Sequence, residues 1–378
     1  MPAPLARDPV LDYKALPKIE LHAHLSGSIS RQCLHELWVS KKATGETDLR
    51  DPLVEMPPDK HDYDLKTFFP LFSSYIYNLV NDVAAVRYTT LAVLRDFAAD
   101  GVVYLELRTT PRAMPAAGLT EEGYVQTVLD AIAEFESEQG EDLGKPEGQR
   151  RVGLKTKLIL SIDRRHTLTQ ASRIIALARH FHLLPEAGVV GLDLCGDPSV
   201  PVNLAALTPL FTEVRSSLPS LALTVHFAEA QVSSSDAELD ALLLDWKPDR
   251  LGHVICVSER VKGEIVRASR GKKGERRGVV DAVGLELCLS CNVHAGMVCG
   301  GFEGHHFGEW WKVQDTVVVL STDDVGVFES PLSNEYALVA KHFGLSRTEI
   351  CTLVRRGIDV IFGGDKEKER LREILWTA

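Results

Sequence analysis

The sequence has no apolar run near the roughly 18 residues that a membrane-crossing helix needs. Its opening stretch, MPAPLARDPVLDYK, holds no apolar core of a secretory leader. It has no excess of positive charge: 53 acidic against 42 basic residues leave a formal charge of −11. No net field therefore draws a polyanion, and no nucleic-acid partner is expected. Any phosphate that binds must be met by a few local groups. Cysteine is sparse and irregular, with seven in 378 residues, which argues against a disulfide scaffold and for reduced thiols. There is no internal repeat, no low-complexity tail, and no G-x-G-x-x-G after the first strand-like segment. A cytoplasmic monomer without a membrane partner is expected.

What is present is order. Short β-branched and apolar runs bounded by breakers predict eight strands at residues 18–22, 102–108, 155–163, 189–195, 222–227, 250–254, 284–289 and 316–321. Helical patterns fill most intervals, among them AVRYTTLAVLRDFAAD (85–100) and SRIIALARHFHLL (172–184). Strand alternating with helix eight times predicts an α/β fold, a (β/α)8 TIM barrel, as one domain over residues 1–378. Residues 41–80 form a long excursion after the first strand and end in TFFPLFSSYIY (67–77), an apolar segment suited to roofing the barrel mouth. GKKGERRG (271–278) reads as a solvated loop, GMVCGGFEGHHFG (296–308) as a flexible one, and KEKERLREILW (366–376) as an amphipathic capping helix.

The polar residues cluster in that scheme. His22 and His24, Arg108, Asp163, Gly196 and Asp197, His226 and Glu229, His253, Asn292, and Asp323 with Asp324 all fall at or just past C-terminal strand ends. In a barrel those ends share one face, where the active site is built. His22 and His24, two apart on a strand, point the same way. One H-x-H is a weak signal, but His226 and Asp323 can project to the same axis. Three imidazoles and a carboxylate suit one Zn²⁺ with a position left for water. Glu229 is placed to act as a general acid, and His253 to hold the attacking water and accept its proton. Asp324, beside Asp323, is the repelled half of a carboxylate pair or a hydrogen-bond acceptor.

The stretches LPKIELHAHLSGS, VVGLDLCGDP, LTVHFAE, RLGHV, LELCLSCNV and VLSTDD together resemble the adenosine deaminases and their close relatives. The resemblance runs from about Leu16 past Tyr336. It implies Zn²⁺ on His22, His24, His226 and Asp323. It further implies a proton from Glu229 to purine N1, His253 orienting the nucleophile, Asp324 contacting the water and N7, and the Gly196 amide contacting N3. The small zinc deaminase pattern, H-x-E with P-C-x-x-C, is absent.

Ser26 stands where adenosine deaminases carry an aspartate for the sugar 5′-hydroxyl and adenine deaminases a glutamate. A carboxylate about 4 to 5 Å from a phosphate would repel it by roughly 3 to 4 kcal/mol per charge pair at an effective dielectric of 20. Its removal opens the site to a nucleotide. Thr109, Thr110, Pro111 and Arg112 at the mouth of the second strand supply hydroxyls and a guanidinium suited to phosphate. The combination is similar to the adenosine-deaminase-like branch, whose members act on N6-methyl-AMP, and it implies that Asp163 lies at the ribose. Most members of that branch carry asparagine at position 26 and a lid-helix histidine with no placed counterpart here, Ile76 or Tyr77 standing nearby. Deamination of adenosine or adenine is the alternative within the fold. Two-metal hydrolysis of an amide or phosphoester is the alternative outside it, but GLDLCGD on strand four lacks the lysine of a bridging carbamate. Cys288 and Cys291, a C-x-x-C without a second pair, are expected to pack.

Overall fold

The computed structural model describes residues 11–58, 60–140, 152–184, 188–270, 279–280 and 282–377. GKKGERRG (271–278) lies outside them. Eight parallel strands pair in sequence order: β1 Lys18–His24, β2 Val102–Thr109, β3 Lys155–Asp163, β4 Val189–Cys195, β5 Ala222–Phe227, β6 Arg250–His253, β7 Gly284–Leu287 and β8 Val317–Leu320. A parallel bridge between Ala23 and Asp323 carries the sheet across its seam. There the His24 amide donates to the Asp323 carbonyl at 3.0 Å, and the Asp323 amide to the His22 carbonyl at 2.8 Å. This is the expected TIM barrel.

Parallel strands covered by helices are buried on both faces. Accordingly VVYLELRT of β2 and VVGLDLC of β4 are buried at every position. The covering helices start where the sequence offers caps. Asp82 accepts from the Ala85 amide at the head of Val83–Ala99, and Thr167 and Gln170 form a capping box ahead of Leu168–His182. No helix among the described residues is long and apolar enough to cross a membrane.

The barrel interior is charged below the site. Arg250 pairs with Glu106 and Glu286, each at 2.6 Å, while Arg108 pairs with Glu286 at 2.8 Å and Asp193 at 3.3 Å. Thr224 donates to Glu286 and Ser161 to Asp193. Buried charges persist only when each is paired and hydrogen-bonded, and removing one partner typically costs about 3 to 5 kcal/mol. Arg108, near a strand end as expected, borders the cavity at the C-terminal face, although its side chain is fully buried. It points inward and ties Asp193 to Glu286.

Candidate active site

A cavity opens at the C-terminal face. His24, His226, Glu229, Asp323 and Asp324 form its floor, while Phe68, Phe69, Phe72 and Tyr77 close over it. The roofing segment is the helix Leu65–Leu71 followed by a π turn at Phe72–Ile76. Phe68 stacks on Phe328 at 5.4 Å.

The floor is built on unusual backbone. Asp323 (φ 62°) and His253 (φ 63°) are left-handed without being glycine. Strain of this kind costs about 1 to 3 kcal/mol per residue and collects at functional sites. Two glycines admit the side chains. A Cβ on Gly27 would stand 1.4 Å from Asp324 Oδ1, and one on Gly252 2.7 Å from His22 Cε1. Gly196, at φ 101°, leaves no room for a Cβ beside the Asp163 carboxylate.

Ligand-capable atoms of His22, His226, His253 and Asp323 lie within 4.8 Å of one another. His24 Nε2 is 3.1 Å from His226 Nε2 and 3.4 Å from Asp323 Oδ1. Five side chains thus stand where a cation could be held, and the far nitrogen of each ring distinguishes the histidines. His22 Nδ1 lies 2.7 Å from Glu286 Oε2. His226 Nδ1 lies 2.8 Å from the Leu194 carbonyl and 3.1 Å from Asp193. All three partners are acceptors, so both rings carry hydrogen on Nδ1 and present a lone pair at Nε2. His22 Nε2 is fully buried without a hydrogen-bond partner, 3.3 Å from Asp323 Oδ1. Facing lone pairs beside a carboxylate fit a cation.

His253 differs. Its Nδ1 lies 3.0 Å from the Asn292 amide nitrogen, a donor. The ring hydrogen therefore belongs on Nε2, which faces Glu229 at 3.7 Å and Asp323 at 3.9 Å. The Asn292 contact favours the tautomer with hydrogen on Nε2, in which the ring holds an attacking water by donating to it. Lone pairs for an ion come from His22, His226 and Asp323, with His24 beside them.

Burial, reinforced by the Asp323 charge, pushes the Glu229 carboxyl up to about 8. Burial and then Asp323 likewise hold Asp324 well above the carboxylate range. Each carboxyl has one buried oxygen unpartnered.

At the mouth, Ser26, Thr109, Thr110, Arg112, Asp163 and Gly196 line the cavity. Pro111 does not; it lines an adjoining groove. Thr109 Oγ1 is engaged with the Tyr124 hydroxyl at 2.8 Å. The Arg112 guanidinium lies 4.0 Å over the Tyr77 ring, and Tyr77 is hydrogen-bonded with Ser26. Several cavity residues were given no site role by the sequence. Arg165 grips Asp163 with two bonds, at 2.8 and 2.5 Å, and leaves its guanidinium half exposed at the mouth; the R-R of LSIDRR was the available signal. Tyr77 takes the position near which the branch's lid histidine was sought. Cys291, expected only to pack, donates its thiol to Asp323 Oδ2 at 2.9 Å, whereas Cys288 is simply buried.

The model of the adenosine deaminase family matches residues 17–378. The chain belongs to that family. Within it, the chain is 32% identical to human N6-methyl-AMP deaminase over 366 residues, covering 96% of this chain and 93% of the relative. An Arabidopsis N6-mAMP deaminase structure superposes with a TM-score of 0.80 at 32% identity, over 96% of this chain and 98% of that one. A second Arabidopsis structure, complexed with IMP, gives 0.81 at 32% identity, over 96% and 97%. An adenine deaminase from Arthrobacter aurescens, at 21% identity and a TM-score of 0.74, shares the fold.

Proposed function

We propose that the chain is a Zn²⁺-dependent N6-methyl-AMP deaminase, converting nucleotide and water to IMP and methylamine with one ion per chain. The observation that carries the nucleotide assignment is the mouth: Ser26 replaces an acid, two guanidinium groups stand nearby, and Arg165 neutralises the Asp163 carboxylate. The named activity of the full-length relatives supports the same reading. Since every site residue comes from one chain, a monomer suffices. Free thiols at all seven cysteines suit the cytoplasm.

His22, His24, His226 and Asp323 would hold the ion, which supplies the Lewis acidity that activates water at neutral pH. The chain's own groups do the rest. Glu229, kept protonated by burial, gives its proton to N1 and makes C6 electrophilic as the water oxygen adds there. Asp324 donates to N7. His253 Nε2–H donates to the attacking oxygen and holds it on one face. Gly196, free of a side chain, lets the backbone approach N3, and Asp163 lies at the ribose. The C6–O bond forms; Glu229, a carboxylate once N1 has its proton, takes the two hydrogens of the added oxygen in turn, passing the first to N6 as the C6–N6 bond breaks and keeping the second, so that IMP carries hydrogen on N1, methylamine leaves and the acid is restored.

The test is kcat/KM on N6-methyl-AMP and N6-methyladenosine for the wild type and Ser26→Asp. The wild type should prefer the nucleotide strongly. The added carboxylate should cost the nucleotide up to two to three orders of magnitude, from repulsion of roughly 3 to 4 kcal/mol, less where solvent screens it. The nucleoside should lose far less. A wild type preferring the nucleoside, or an unchanged ratio in the variant, would overturn the assignment in favour of adenosine deamination.

A further inference from the structure

The orientation of His253 rests on two buried side chains, Asn292 and His305, outside the cavity lining. A backbone N–H is an unambiguous donor, and the Phe307 amide donates to His305 Nδ1 at 3.0 Å. That nitrogen must therefore be an acceptor, which leaves the hydrogen of the neutral ring on His305 Nε2. This nitrogen lies 3.3 Å from Asn292 Oδ1. The oxygen of Asn292 is thereby turned to His305, and its amide nitrogen to His253 Nδ1 and the Met297 sulfur. Each link permits one arrangement of the next, from a fixed amide to the atom that faces the site.

We propose that Asn292 and His305 are positioning residues that hold the proton of His253 on Nε2, so that the site is offered a hydrogen-bond donor and not a base. The role of that donor rests on the deaminase reading above; the proton's position does not. Asn292 is fully buried and His305 is 3% exposed, so water does not compete for the links. Burial holds His305 far below the usual histidine range, and hence neutral. His305 stacks on His306 at 4.1 Å, and His306 Nε2 lies 2.6 Å from the His253 carbonyl. The glycine-rich segment at 296–308 thus grips both the ring and the left-handed backbone of His253. An uncommitted imidazole would populate both tautomers, and its other form would aim a lone pair at the ion site and compete for the cation.

The experiment is ¹⁵N NMR of ring-labelled histidine in the purified, Zn²⁺-loaded protein, with kcat and KM measured alongside. In the wild type, the His253 resonances should report a protonated Nε2 and an unprotonated Nδ1. His305→Phe removes the donor to Asn292 and lets its amide turn; the Nδ1–H form should appear, and kcat should fall at least tenfold with KM nearly constant. His305→Gln can place an amide N–H where Nε2 was, and should recover the wild-type tautomer and most of that kcat loss. A wild-type His253 protonated on Nδ1, or His305→Phe with the wild-type ring signals, would overturn the proposal. If His305→Phe does not fold, the wild-type and His305→Gln spectra still decide it. Inactivity on every nucleotide with the expected tautomer would fault the deaminase reading alone.

Discussion

Glu229 is worth most to the reaction as a neutral acid, and its environment keeps it one: it is buried, faces Asp323, and has an oxygen without a partner. Glu229→Gln keeps the shape and the uncharged state but has no proton to give. We expect fold and Zn²⁺ content unchanged and kcat lowered about 10²- to 10⁴-fold, checked by elemental analysis beside steady-state kinetics; a variant holding a third of the wild-type rate would show that Glu229 is not the acid. Residues of this kind were legible because their chemistry is written locally, as H-x-H, H-F-A-E and D-D. His305 was not, and Asn292 was legible only as a polar residue past a strand end. Their roles exist only through contacts with His253, far away in the chain, and a histidine in a glycine-rich loop gives no sign of burial. Arg165 was missed for a related reason, since a guanidinium beside a carboxylate reads as a solvated pair until both line one cavity.

Strands were easier to read than the turns after them. Two-sided burial writes parallel strands as continuous apolar runs, so β3, β4 and β5 have the bounds the sequence suggested, while β1 runs two residues further to His24. β7 stops at Leu287 because Leu289–His294 winds into a helix, a turn that LELCLSCN conceals by staying apolar throughout. That helix is tied to Leu332–Phe343 by Glu335, which accepts from the Ser290 amide at 3.1 Å and the Ser330 hydroxyl at 2.7 Å. Burial, opposed in part by those bonds, raises the Glu335 carboxyl to about 7. A carboxyl with a raised folded pKa binds more protons folded than unfolded between about 4.5 and 7, so stability declines with pH across that window and levels off above it. Glu335→Gln can offer its oxygen to Ser290 and its amide to Ser330 Oγ without a charge. The variant should match the wild type near pH 4.5 and exceed it by up to about 3 kcal/mol at pH 8, measured by denaturant unfolding at both pH values. A gap that does not widen with pH would show that Glu335 titrates normally.

At the scale of the molecule, the ion and the barrel are coupled. Asp323 supplies a carboxylate to the site and, through its backbone, both bonds of the β8–β1 seam. Binding that favours the folded state adds RT ln(1 + [L]/Kd), about 4 kcal/mol at a thousandfold excess over Kd. Chelation should therefore abolish activity and lower Tm, and one equivalent of Zn²⁺ per chain should restore both. A Tm indifferent to chelation, or a requirement for two equivalents, would contradict a single ion at the seam.

That seam also orders events in time. His22 and His24 leave the ribosome with the first strand, and Asp323 only with the last, while His226 comes between them. No growing chain can assemble the four proposed ligands before Asp323 has been made, so early ion capture at that full set is excluded by the order of synthesis. A chain broken off before Asp323 would carry most of the barrel and none of its chemistry. Completion of the circle and arming of the enzyme are one event.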